Sequence, residues 1–187
     1  MTVDGVPVLV HDAETGRRPR RAPIDRLGRA ELPGHVPSLS ELYEQCGTAY
    51  DLSLDVKASA AAAPTIAVAR EAEALSRLWL CGPLDALAGW RRLDRAVRLV
   101  DSTRARQVRE GMTDRARTLR SLGAQALNLP LRDWTPEAVA RVQREGVLAF
   151  AWDAHTPAAV RRAAALGVDA VYGDDVRALL AGAARTA

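Results

Sequence analysis

The feature that most narrows what this chain can fold into is a rhythm. From Leu52 onward, short apolar runs alternate with longer amphipathic stretches, and Gly123, Gly146 and Gly167 fall where three of those stretches stop. A glycine just past a helix takes the left-handed conformation that closes it. The pattern returns at roughly 20 to 25 residues, the length of a repeated βα unit. Thr135-Pro136 and Thr156-Pro157 each read as an N-cap followed by a proline in the first helical turn. The spacing predicts strands from Leu52 to Lys57, Leu78 to Cys81, Val97 to Val100, Ala126 to Leu129, Val147 to Trp152 and Val168 to Tyr172. Helices are expected from Pro64 to Ser76, Asp85 to Leu93, Arg104 to Leu122, Thr135 to Gly146, Thr156 to Gly167 and Asp175 to Ala184. Strands alternating with helices imply a parallel sheet with right-handed crossovers. A (β/α)8 barrel and an open doubly wound sheet both accommodate this order. No G-x-G-x-x-G loop follows any strand, which counts against a dinucleotide-binding fold. Six strands are two short of a closed barrel.

Composition bounds the rest. The 187 residues suffice for a single domain spanning 1–187 with a sizeable core. No run approaches the roughly 20 apolar residues that span a bilayer, and no charged-then-apolar opening marks a signal peptide. Cys46 and Cys81 are the only cysteines, too few for a disulfide scaffold or a zinc site. Together these describe a reduced cytoplasmic protein. The net charge of +3 invites a nucleic-acid partner, but the basic residues are interleaved with acids along the chain. Only Arg17-Arg18-Pro19-Arg20-Arg21 clusters, and it reads as a solvated loop, so no nucleic acid is expected. Of the 26 basic residues one is Lys57 and the other 25 are Arg. A lone lysine in so arginine-rich a chain is the exception that asks for a reason.

The first residues carry chemistry. Asp4-Gly5 reads as a hairpin turn, Val6 to Val10 as an apolar strand, and His11-Asp12 as the place where that strand runs out. Pro7 is tolerated near a strand's beginning. Histidine there can act as a general acid or base. Pro37-Ser38 then opens a helix, with Ser38 as N-cap and Glu41 as its capping-box partner, and Gly47 ends it. On the next strand Asp55 and Lys57 lie two apart and so share a face. A plain salt bridge would use that pair. So would a hard-cation ligand beside a phosphate-binding charge. A histidine, a carboxylate and a lysine at neighbouring strand ends suit hydrolysis of a phosphate ester.

Three blocks, Asp4 to Asp12, Val36 to Leu42 and Leu54 to Lys57, resemble the glycerophosphodiester phosphodiesterase family in order and spacing. Phe150-Ala151-Trp152 and Gly167 to Asp174 are similar to that family's last two barrel strands. The resemblance implies a TIM (β/α)8 barrel that hydrolyses glycerophosphodiesters to an alcohol and glycerol phosphate, using a divalent cation, Mg2+ or Ca2+. It also implies that His11 is one of two catalytic histidines and that Asp55 is a metal ligand. Lys57 would hold the phosphate, and Trp152 would line the substrate pocket. The family's usual opening is not found in this sequence: a His-Arg-Gly strand, a Glu-Asn pair and a Glu-x-Asp strand. The expectation is therefore an incomplete barrel lacking about its first two strands, with Met1 an internal methionine of a longer enzyme. Exposed barrel edges would favour self-association. His35 and His155 are expected to be structural or solvated. A second reading is a degenerate, non-catalytic barrel fragment that binds a ligand or partner.

Overall fold

The computed structural model describes residues 1–16 and 21–184; most of the arginine cluster lies outside them. Two short strands, β1 (Glu14–Thr15) and β2 (Ala22–Pro23), pair antiparallel. There follow α1 (Leu39–Cys46), β3 (Leu52–Asp55), α2 (Ala62–Glu71), β4 (Leu78–Gly82), α3 (Leu84–Leu93), β5 (Arg98–Ser102) and α4 (Met112–Leu122). Then come β6 (Ala126–Pro130), α5 (Pro136–Arg144), β7 (Leu148–Trp152), α6 (Pro157–Leu166), β8 (Ala170–Val171) and α7 (Val176–Ala183). Strands β3 to β8 stand in one sheet in chain order, each of the registered pairs parallel. This is the α/β architecture of a TIM barrel short of two strands, as the family resemblance implies. Contacts gather into two compact units, Met1–Cys81 with Gly89–Arg98, and Gly82–Ala88 with Leu99–Ala187.

Punctuation residues act where the sequence places them. Ser38 caps α1, its hydroxyl accepting from Glu41 N at 3.2 Å while the Glu41 carboxylate accepts from Ser38 N at 2.6 Å. The Thr135 and Thr156 hydroxyls cap α5 and α6, accepting from Ala138 N and Ala159 N. Gly123, Gly146 and Gly167 take φ of +70°, +77° and +78°, which L side chains adopt at a cost.

In the first unit the register pairs Leu52 with Leu78 and Leu54 with Leu80, so these leucines share one face. Leu78 and Leu80 are wholly buried. Ser53, Asp55, Trp79 and Cys81 take the opposite face, where the Ser53 hydroxyl lies 3.2 Å from Cys81 Sγ. In the second unit Leu127 and Ala149 stack in register with Asp101 on the face that meets α4. Ser102, Asn128 and Phe150 share the other. Alternation with period two thus divides a face that is apolar except for Asp101 from a mixed polar and aromatic one.

Several expected boundaries move. The expected helix from Arg104 begins only at Met112, because Gly111 at φ +88° interrupts it after a short 3-10 turn. The expected helix from Pro64 begins two residues earlier, since a proline in the first turn withholds an N–H that has no intrahelical acceptor. It stops at Glu71, ahead of Glu73 at φ +56°. The last strand shortens to two residues. The strand expected over Val6 to Val10 is a single antiparallel bridge, Val8 to Ser38. Its partner is the lead-in to α1, so only two backbone bonds form, Leu9 N to Pro37 O at 2.9 Å and Leu39 N to Pro7 O at 3.0 Å. Of Asp4 and Gly5, only Gly5 takes positive φ, at +82°.

One ion pair in the second unit is buried. Arg115 of α4 donates to Asp101 of β5 at 2.7 Å, and the two side chains are 9% and 0% exposed. Burial pushes the Asp101 carboxyl above its ordinary range, while the bond from Arg115 draws it back. Removing one partner of such a pair strands a charge, at a cost of about 3–5 kcal/mol. Arg115→Met is expected to destabilise the chain by that amount in chemical denaturation. The double variant Arg115→Met/Asp101→Leu should recover most of the loss.

Candidate active site

The arm that presents His11 is held by its surroundings rather than by a sheet. Val8 and Val10 pack against the buried cluster of Ile24, Leu32 and Val36. Its turn is closed by Thr2 N to Val6 O at 3.0 Å and Gly5 N to Thr2 O at 3.1 Å. The Asp4 carboxylate accepts from Arg29 N at 3.0 Å, and the Arg29 guanidinium reaches Glu41 at 2.8 Å. The arm is thereby tied to the N-terminus of α1 at two points, directly through its backbone bridge and indirectly through Arg29. His11 stands at its end, with the side chain 94% exposed, and Nδ1 lies 2.9 Å from Asp12 Oδ1. That hydrogen bond first, then the charge of the imidazole, holds the Asp12 carboxyl below the usual carboxylate range; Arg21 and Lys57 add to the effect.

Asp55 ends β3. Beyond it the backbone keeps its direction because Val56 N donates to Cys81 O at 2.9 Å, and Lys57 therefore returns to the Asp55 side. Lys57 Nζ donates to Asp55 Oδ2, a partly exposed ion pair. The two segments face one another across a cavity of about 490 Å3. Pro7 to Glu14 line one side and Ser53 to Ala58 the other, with His11, Asp12, Asp55 and Lys57 all on the wall. Three of the four site residues expected from sequence are therefore brought together in the first unit.

The fourth, Trp152, ends β7 in the second unit, half-buried, with the Arg104 guanidinium 4.9 Å from its ring centroid. Its Nε1 is buried without a partner among the described residues. His155 bridges the loops after β7 and β8, with Nε2 3.4 Å from Asp153 and Nδ1 accepting from Asp174 N at 3.3 Å. This structural role agrees with the expectation for it. His35 is solvent-exposed in its loop. Sequence inspection lists Asp12 among the strand-end residues without a role. The signal for one is its adjacency to His11 at the point where the arm leaves its packing.

Among the described residues no group of three or more His, Cys, Asp or Glu side chains stands close enough to hold a metal ion. Mg2+ and Ca2+ fill shells of six or more oxygens with carboxylates, waters and substrate oxygens, and the one carboxylate at the end of β3, Asp55, is already engaged by an ammonium. These residues alone do not fit a divalent cation.

No family model matches the sequence, and no curated protein matches it either. Solved structures do. A protein from Silicibacter pomeroyi assigned as a glycerophosphoryl diester phosphodiesterase superposes with a TM-score of 0.85 at 21% identity, over 99% of this chain and 81% of its own. A phosphodiesterase from Oleispira antarctica, in complex with its product sn-glycerol-3-phosphate, gives 0.78 at 20% identity over 98% and 82%. A glycerophosphodiester phosphodiesterase from Parabacteroides distasonis gives 0.77 at 16% identity over 100% and 82%.

The positioning of His11 depends on α1 keeping its start. Ser38→Ala removes the cap and one side of the capping box, and should cost about 1 kcal/mol in thermal or chemical unfolding. In 15N relaxation spectra the amides of residues 8–12 should gain mobility while those of β6 and β7 do not. The chain has the fold of the solved glycerophosphodiester phosphodiesterases.

Proposed function

We propose that this chain is a phosphoric diester hydrolase acting on glycerophosphodiesters, a part of lipid and phosphodiester metabolism. The observation that carries the proposal is the convergence of His11, Asp55 and Lys57 on one cavity wall, in a chain with the fold of solved phosphodiesterases, one of which holds sn-glycerol-3-phosphate. A small phosphodiester is the substrate class. Water attacks phosphorus, the bond from phosphorus to the alcohol oxygen breaks, and glycerol phosphate and an alcohol separate. The Lys57 ammonium offsets the charge of a non-bridging phosphoryl oxygen. His11 moves a proton at one of the two reacting oxygens. Trp152 is proposed as a substrate contact from the family resemblance together with its partial exposure at the end of β7. A divalent cation belongs to the proposal by the same resemblance, with Asp55 as one ligand. Since the described residues do not complete its shell, the chemistry assigned to this chain rests on His11 and Lys57.

A non-catalytic binding module is the second reading, and one observation favours it: Asp55 is held by Lys57, which leaves His11, itself bonded to Asp12, to carry the proton alone on the polar wall. Turnover of glycerophosphocholine separates the two. The expected result is slow release of choline, raised by added Mg2+ or Ca2+, lowered at least 100-fold in His11→Ala and markedly in Lys57→Ala. Glycerol phosphate binding without any turnover favours the module, and the absence of both removes the proposal.

β3 ends the sheet order on one side, and a strand edge invites pairing with another chain. Self-association through that edge is part of the proposal. Sedimentation velocity should show a dimer that Ser53→Lys, a charge set on the edge strand, shifts toward monomer. A monomer at all concentrations sinks this element.

A further inference from the structure

We propose that Asp12 is a positioning residue that fixes the tautomer of His11, so that Nδ1 carries the proton and Nε2 presents its lone pair to the cavity. This rests on the hydrolase proposal only for its consequence in turnover. The geometry stands by itself. His11 Nδ1 lies 2.9 Å from Asp12 Oδ1. An ionised carboxylate only accepts hydrogen bonds, so the nitrogen facing it must be the donor. A neutral imidazole has one N–H and one bare nitrogen, and the bond made by the first decides which nitrogen is bare.

Two further observations favour a fixed arrangement over a chance contact. The arm is anchored two residues before the imidazole, by Leu9 N to Pro37 O at 2.9 Å. Asp12 is also kept ionised from more than one direction: its carboxyl is drawn below the usual range by the His11 bond, then by the charges of His11, Arg21 and Lys57. The charges of Arg21 and Lys57 remain where the imidazole is neutral, so the carboxylate stays an acceptor there. His11 Nε2 has no protein partner among the described residues, and the side chain borders the cavity that Lys57 also lines.

In turnover the consequence is specific. Nε2 accepts a proton from the attacking water as that oxygen bonds to phosphorus. The electron pair of the breaking bond leaves with the alcohol oxygen, which takes a proton from solvent water. Asp12 touches none of the reacting atoms. It holds the ring so that the bare nitrogen is the one facing them, and it stabilises the imidazolium that forms.

The test is the tautomer itself. In long-range 1H–15N spectra of the full chain, recorded about two units above the ordinary histidine pKa, His11 is expected to show a protonated Nδ1 and a bare Nε2. His35 and His155 serve as internal references. Asp12→Ala should turn His11 to the Nε2–H form without lowering the melting temperature, and Asp12→Glu should retain the Nδ1–H form. An Nε2–H imidazole in the unmodified chain, or an unchanged tautomer in Asp12→Ala, overturns the proposal. With glycerophosphocholine, Asp12→Asn should lower kcat roughly tenfold and leave KM unchanged, a part of the 100-fold or larger loss that removal of a general base brings. An unchanged kcat also overturns it. If the unmodified chain shows no turnover, the hydrolase proposal fails, and the spectrum still decides the role of Asp12.

Discussion

Parallel backbone pairing is the constraint on which the rest of this structure depends. Once β3 is laid beside β4 in the register Leu52 to Leu78, every side chain in both strands is assigned to a face. Leucines go to one side. Ser53, Asp55, Trp79 and Cys81 go to the other, and the bond from Val56 N to Cys81 O extends the assignment past the strand end to Lys57. A slip of one residue would bury Asp55 and Ser53 among the leucines and turn Leu54 outward. The cost of burying an unpaired carboxylate forbids it. The chemistry of the site is thus a by-product of the same register that builds the core.

Much of this was legible in the sequence because the relevant signals are local. Glycine with positive φ, threonine before proline, and serine three residues ahead of glutamate each act within one turn of backbone, so the helix ends at 123, 146 and 167 and the starts at 38, 135 and 156 could be placed from residues alone. Period-two alternation likewise placed Asp55 and Lys57 on one face. What failed to read correctly depends on what lies opposite. Val6 to Val10 has the composition of a strand, but its neighbour is a helix lead-in with room for two bonds. The stretch from Arg104 has a helical composition, yet Gly111 turns the chain. The bond between His11 and Asp12, and the burial of Asp101 against Arg115, depend on side-chain direction rather than on pattern, and so leave no trace in the sequence.

The polar wall shows how charge is managed on a solvated cavity surface. Its residues are not isolated: imidazole meets carboxylate, and ammonium meets carboxylate. Each pair lowers the field that either member would present alone, and both remain solvated enough that their mutual attraction stays modest. Under the proposed function, an incoming phosphodiester would compete with Asp55 for Lys57. The ammonium is pre-positioned by the carboxylate that such a substrate would displace or share, so affinity and order would trade against one another at this point.

Lys57 has a consequence of another kind. In a chain whose other 25 basic residues are guanidinium groups, it supplies the one side-chain primary amine, and that amine is 48% exposed on the cavity wall. Amine-selective acylation, which leaves guanidinium groups untouched, has one side-chain target here besides the N-terminus. A fluorophore, a cross-linker or a surface tether attached by ordinary lysine chemistry would sit at the mouth of the cavity. The same protein coupled through Cys46, which is also exposed, would carry its label on α1, away from that wall.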